Sequence, residues 1–387
     1  MGRGYLSACA RSADVTPQRR VGVRVRLPIL LAGLVTLALC AVAPDARAAA
    51  VLDKAFWGPA QVDGVSQFPI YDDLGVTIYQ MTLRWSDVAP TRPAAARDPR
   101  DPAYRWPAEV DFAIREAERH GMRVLLMLIL APRWANGNKP PEYAPKRPSE
   151  FGDFARAAAR RYPSVRHWMV WGEPSRSNNF KPFVKQPLGT KITAAQKRAP
   201  RRYARLLDAA YGQLKAQRRA NVVIGGNTFV TGEVRPGDWM RAMKLPNGRP
   251  PRMSFYGHNP FGYRNPDLRH PPSKNGLVDF SDLGRFDRQL QRDLGKPLGK
   301  RIKLFLSEFT VATGPDREFN FWVSTATQAK WITSAFRVAR QLDNVVALGW
   351  VHLYDEPSVP GEEVINGGLL AHDGSRKPGY YAFQRGG

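Results

Sequence analysis

Cysteine is nearly absent from this chain. Only Cys9 and Cys40 occur in 387 residues, and both fall in an N-terminal stretch that reads as a targeting segment. The remainder therefore has no disulfide, no thiol nucleophile and no cysteine-based metal site. Its stability must come from its core, which the length permits. Other signatures are missing too. The six histidines show no His-Glu-x-x-His spacing, and no Gly-x-Ser-x-Gly elbow surrounds Ser307. Gly225-Gly226-Asn227 is too short for a phosphate cradle and reads as a tight turn. No metal and no cofactor is expected. Acidic residues are scarce against basic ones, 34 to 58, giving a net charge of +24. Setting aside the seven Arg and two Asp of residues 1–48 leaves +19. Between Glu173 and Asp208 nine Lys or Arg occur and no acid. Such an excess favours anionic partners, an acidic polysaccharide or cell-wall polymer among them; scattered, solvated arginine is the plainer account. No nucleic-acid-binding motif interleaves aromatics with base-reading residues, so no nucleic acid is expected as partner.

The N-terminus carries Arg19, Arg20, Arg24 and Arg26 ahead of an apolar run over 27–43, which Pro44 breaks. Ala46-Arg47-Ala48 supplies the small residues that a signal peptidase needs. The expectation is a signal peptide over 1–48 and a secreted protein. The alternative is an uncut membrane anchor with the protein facing outward, since 17 apolar residues lie near the short limit for spanning a bilayer. Only through such an uncleaved segment is a membrane expected to be touched.

From residue 51 onward short apolar runs alternate with amphipathic stretches, the pattern of a parallel sheet covered by helices. Strands are predicted over 76–83, 123–130, 167–171, 221–226, 253–257, 302–307 and 345–351, with a first near 51–56. Helices are predicted over 108–120, 149–162, 201–219, 282–294 and 325–342. No linker divides residues 49–387, and no Gly-rich turn follows the first strand as a doubly wound open sheet would require. The fold class is α/β, a single (β/α)₈ barrel over 49–387.

Two glutamates stand out within that frame. Trp168-Met169-Val170-Trp171-Gly172-Glu173-Pro174 places a carboxylate just after a buried strand, and Leu304-Phe305-Leu306-Ser307-Glu308-Phe309 does so again. Residues just past the strand ends face the active-site mouth of such a barrel. Hydrolysis of a glycosidic bond needs this pair: a protonated acid for the leaving oxygen and an ionised carboxylate at the anomeric carbon.

In these residues the sequence resembles the clan A glycoside hydrolases, retaining (β/α)₈ enzymes that include families 5, 10 and 39. Trp-x-x-Trp-x-Glu-Pro is similar to that clan's acid/base signature, which implies Glu173 for the role. The Glu ending the seventh strand matches its nucleophile position, which implies Glu308. Arg84 in Thr82-Leu83-Arg84-Trp85, Trp134 in Ala131-Pro132-Arg133-Trp134, His258, Trp350 and the tail from Gly368 to Phe383 also match. The resemblance implies a carbohydrate substrate. It departs at two places. The clan's Asn before the acid/base is Gly172, which has no side chain to meet a sugar 2-hydroxyl; Asn178, Asn179 or another donor would have to replace it. The sixth strand reads His258-Asn259-Pro260-Phe261 in place of His-x-Tyr, leaving Tyr256 or Tyr263 to steady the nucleophile.

The substrate-binding candidates are Arg84, Trp85, Trp134, Trp171, Tyr256, His258, Asn259 and Trp350. The tryptophans are candidate platforms for the apolar faces of sugar rings, with core packing as the competing role. Arg84 is expected to pair with a catalytic carboxylate and hold it ionised. The leading expectation is a secreted retaining glycosidase. Two other readings stay open: a barrel that binds glycan without cutting it, motivated by Gly172, and a basic binder of anionic cell-wall polymer acting through residues 176–205.

Overall fold

The computed structural model describes residues 52–358 and 364–386. The proposed signal peptide or anchor, with Cys9 and Cys40, lies outside the described residues. The described residues all fall in one compact unit. Eight strands form a closed, all-parallel ring: β1 (Asp53–Trp57), β2 (Ile78–Arg84), β3 (Arg123–Ile129), β4 (His167–Val170), β5 (Val222–Phe229), β6 (Phe255–Asn259), β7 (Lys303–Leu306) and β8 (Val345–Trp350). Each strand pairs with its neighbours in sequence, and β1 closes the ring against β8, with Asp53 opposite Ala347 and Phe56 opposite Trp350. The fold is a (β/α)₈ barrel.

Eight helices follow the strands in turn: α1 (Phe68–Asp73), α2 (Ala108–Arg119), α3 (Pro148–Arg161), α4 (Arg198–Gln217), α5 (Pro236–Ala242), α6 (Leu283–Leu290), α7 (Thr325–Gln341) and α8 (Pro378–Gln384). Because side chains alternate along a strand, each strand feeds two cores. Inside the ring, Ala55, Ile78, Leu125, Met127, Met169, Ile224, Phe305 and Ala347 pack on one another. The opposite faces, with Phe56, Tyr79, Leu126, Trp168, Leu304 and Leu348, meet the helices. This alternation leaves one position per strand pointing into the mouth above the inner core, and there the polar residues begin.

Among the described residues no helix is long and apolar enough to cross a membrane.

Candidate active site

Glu173 and Glu308 stand at the same mouth. Glu173 follows β4, where the chain turns sharply: Trp171 and Glu173 adopt φ of 65° and 40°, a left-handed region that non-glycine side chains occupy only when neighbours hold them there. The hold is visible. Trp171 Nε1 donates to the Asn179 carbonyl at 2.7 Å, Ser175 Oγ accepts from the Phe229 amide at 3.3 Å, and both Ser177 N and Oγ bond the Glu233 carboxylate at 3.0 Å. The turn is thereby pinned to the loop after β5.

Glu308 is set from below. Gln80, fully buried on β2, donates from Nε2 to the Ser307 carbonyl at 3.0 Å and accepts from Ser307 Oγ at 3.1 Å. Trp57 Nε1 on β1 reaches the same hydroxyl at 3.2 Å. The close approach of β8 depends on Gly349, where an added Cβ would lie 1.9 Å from the Ser307 carbonyl oxygen.

Beside Glu173 stands Asn259, fully buried at the end of β6. Its Nδ2 donates to Glu173 Oε1 at 2.8 Å, and Asn259 also lowers the pKa of Glu308. The charges of Glu173 and Glu308 act on each other at this mouth. Among the described residues the Asn259 Oδ1 accepts no hydrogen bond. Arg176 completes the group, donating to Glu173 Oε2 at 2.9 Å with its guanidinium 4.5 Å over the Phe229 ring.

Burial pushes Glu308 well above the usual carboxylate range, and the charges of Glu173 and Glu318 add to it, against Arg176 and Asn259. Burial also raises Glu173, opposed by the Arg176 ion pair and the Asn259 hydrogen bond. Like charges this close do not both ionise freely, so the pair holds a proton more tightly than either carboxyl alone and titrates as a unit. Glu318, from the loop after β7, bonds His352 Nε2 at 3.1 Å, and this bond holds its carboxyl below the usual range. Beside it opens a cavity of about 170 Å³ lined by Arg176, Glu318, Phe229, Phe261, Tyr263 and Phe321.

Several sequence expectations land elsewhere. Arg84 ends β2 exposed at the mouth, but no carboxylate among the described residues lies within ion-pair distance of it; the cation on the pair is Arg176. Trp85, Trp171 and Trp350 are core residues rather than open platforms. Trp85 stacks on Phe154 at 5.5 Å, Trp171 meets Phe180 edge-on at 5.2 Å, and Trp350 meets Phe309 edge-on at 5.5 Å. Trp134 is half-buried away from the pair, under the Arg92 guanidinium at 4.4 Å, with Nε1 donating to the Ala89 carbonyl. His258 is fully buried, its Nε2 donating to the Val278 carbonyl and its Nδ1 2.9 Å from Thr228 Oγ1; burial lowers its pKa to about 4, so it is a neutral core histidine. Tyr256 is fully buried against Phe286, and Tyr263 is exposed on Phe321; neither hydroxyl bonds Glu308 among the described residues. Asn178 is exposed, and Asn179 contributes its carbonyl to Trp171.

Sequence reasoning missed Trp57, Gln80, Arg176, Glu318 and His352. Arg176 alone left a signal, standing three residues after Glu173 in a stretch without acids.

The ring, its strand order and the placement of carboxylates at the C-terminal strand ends define the class of architecture, a (β/α)₈ barrel of the kind found in many glycoside hydrolases. A family 39 glycoside hydrolase from the gut symbiont Bacteroides cellulosilyticus WH2 is similar over 86% of this chain and 63% of its own, with a TM-score of 0.62 and 18% identity. A glucosidase from Croceicoccus marinus matches 87% of this chain and 65% of its own, at a TM-score of 0.60 and 16% identity. A monomeric β-xylosidase from Caulobacter crescentus CB15 matches 86% and 66%, at 0.55 and 18%. The chain thus spans just under two thirds of the length of these proteins. No protein-family model and no curated protein matches the sequence.

Proposed function

We propose that the protein is a secreted glycoside hydrolase that cleaves a carbohydrate by double displacement, with Glu173 as acid/base and Glu308 as nucleophile. The observation that carries this reading is the mutual influence of the two strand-end carboxyls, with Asn259 bonded to Glu173 and lowering the pKa of Glu308. Glu173 protonates the leaving oxygen while Glu308 attacks the anomeric carbon; water, deprotonated by Glu173, then releases the glycosyl-enzyme. The shared proton must reside on Glu173 and the negative charge on Glu308. Arg176 favours the reverse, and its half-exposed side chain has room to leave Glu173 when a substrate enters. Gly172 has no side chain to meet a sugar hydroxyl, and the buried Asn259 Oδ1, without a partner among the described residues, is the proposed substitute once substrate opens the site. Secretion rests on the N-terminal apolar run and its Ala46-Arg47-Ala48 site.

A second reading, glycan binding without cleavage, draws on the Arg176–Glu173 ion pair and on Gly172. A mechanism-based fluorosugar separates the two. Stoichiometric covalent labelling that Glu308→Gln abolishes, with loss of turnover on any aryl glycoside the wild type cleaves, is the expected result. Labelling or turnover that persists in Glu308→Gln refutes the assignment.

A further inference from the structure

We infer that the flank of the barrel formed by α4, α5 and α6 carries a second binding site, a groove for a linear polyanionic glycan such as a polyuronate. Two cavities, of about 430 and about 510 Å³, share Asp238 and Arg241 in their walls, and we read them together as one trough beside α5. The acids in it are already occupied. Asp238 bonds Arg241 at 2.6 Å, Asp293 bonds Arg292 at 3.1 Å, and Asp282 accepts from the Ser273 amide with Arg264 at 3.9 Å. Lys197, Arg201, Lys244 and Arg285 also line the trough, and among the described residues none of them lies within ion-pair distance of a carboxylate. Arg235 spends its guanidinium on the carbonyls of Thr231 and Gly232, and its buried Nε has no partner among the described residues.

Helix α4 extends the surface. Arg198, Arg201, Arg202 and Arg205 stand at i, i+3, i+4 and i+7, a spacing that puts them on one helical face, and all four are exposed. Like charges so arranged repel each other, and no acid in the first turn of α4 relieves them. A bound polyanion relieves all four at once. The concave trough fits a chain rather than a flat membrane. Its one aromatic lining residue, Phe286, is buried, so it offers no platform for stacking bases. A polysaccharide with a charge on each residue supplies what remains: regularly spaced anions on a flexible, largely hydroxylated strand.

Binding here is separate from the chemistry at Glu173 and Glu308, so its test needs no turnover. Polygalacturonate is titrated into the full-length protein in the Glu308→Gln background by calorimetry and affinity electrophoresis, with neutral dextran and a DNA duplex as comparisons. Arg201→Glu/Lys244→Glu/Arg285→Glu is expected to weaken polygalacturonate binding at least tenfold, and the unaltered groove to lose affinity steeply with added salt. The corresponding triple Gln variant, which removes the charge without reversing it, is expected to lose affinity in the same direction and keeps the test open if the Glu variant does not fold. Unchanged affinity in the folded triple variants, equal binding of dextran, or tighter binding of the duplex overturns the proposal.

Discussion

Asn259→Ala removes one amide and little else. The backbone of Asn259 stays paired with Phe229 across β5 and β6, so the strand should persist. What disappears is a 2.8 Å donor to Glu173 Oε1, the lowering influence on the Glu308 pKa, and an Oδ1 without a partner among the described residues. A hydrogen bond to a charged group contributes about 1.5–3 kcal/mol. At about 1.4 kcal/mol per decade of rate, the loss is roughly ten- to 150-fold in kcat/KM. The pH dependence follows from the sign. Asn259 lowers the pKa of both carboxyls, so its removal raises them; Glu308 then needs a higher pH to ionise, and the acidic limb of the profile moves upward. The defect is therefore greatest at low pH. The assay is kcat/KM on an aryl glycoside across both limbs, with urea unfolding as a control for fold. A variant within about threefold of wild type, with an unmoved acidic limb, would refute the claim that this amide holds the pair.

The other expectations concern neighbours of the same group. Glu318, ionised beside His352, raises the pKa of both Glu173 and Glu308. Glu318→Gln should therefore let the pair release its proton earlier and shift the whole pH–rate bell to lower pH; an unmoved or upward-shifted bell contradicts this electrostatic role. Gly172→Asn tests why the usual amide is missing. A Cβ there meets Met127 Sδ at 3.0 Å and Ile129 Cδ1 at 3.3 Å, so a destabilisation of about 1–3 kcal/mol is expected by urea unfolding. No gain in activity should accompany it, and a gain of about tenfold would mean that Asn259 does not fill the role.

The barrel was legible because its strands are continuous apolar runs, and the two glutamates because each ends such a run. Boundaries moved little, from 123–130 to Arg123–Ile129 in β3 and from 325–342 to Thr325–Gln341 in α7. Three helices escaped notice. At six or seven residues, α1, α5 and α8 are too short for a 3.6-residue period, and each has Pro in its first turn, which reads equally well as a loop. The tryptophans misled for a different reason. Position along a strand places a residue near the mouth, but parity decides whether it faces the cleft. Gly349 faces inward on β8, so Trp350 faces the helices. Half of the site was invisible because its contacts are remote in sequence: Gln80 and Ser307 are 227 residues apart, and no local pattern announces that they meet.

The tie among Trp57, Gln80 and Ser307 joins the first two staves of the ring to the seventh, 250 residues apart in the case of Trp57 and Ser307. The seat of Glu308 is consequently complete only when the ring is shut. A truncated or circularly broken version that loses β1 would forfeit the alignment of Glu308 even if the remaining staves stayed together, so competence at this mouth serves as a readout of closure itself.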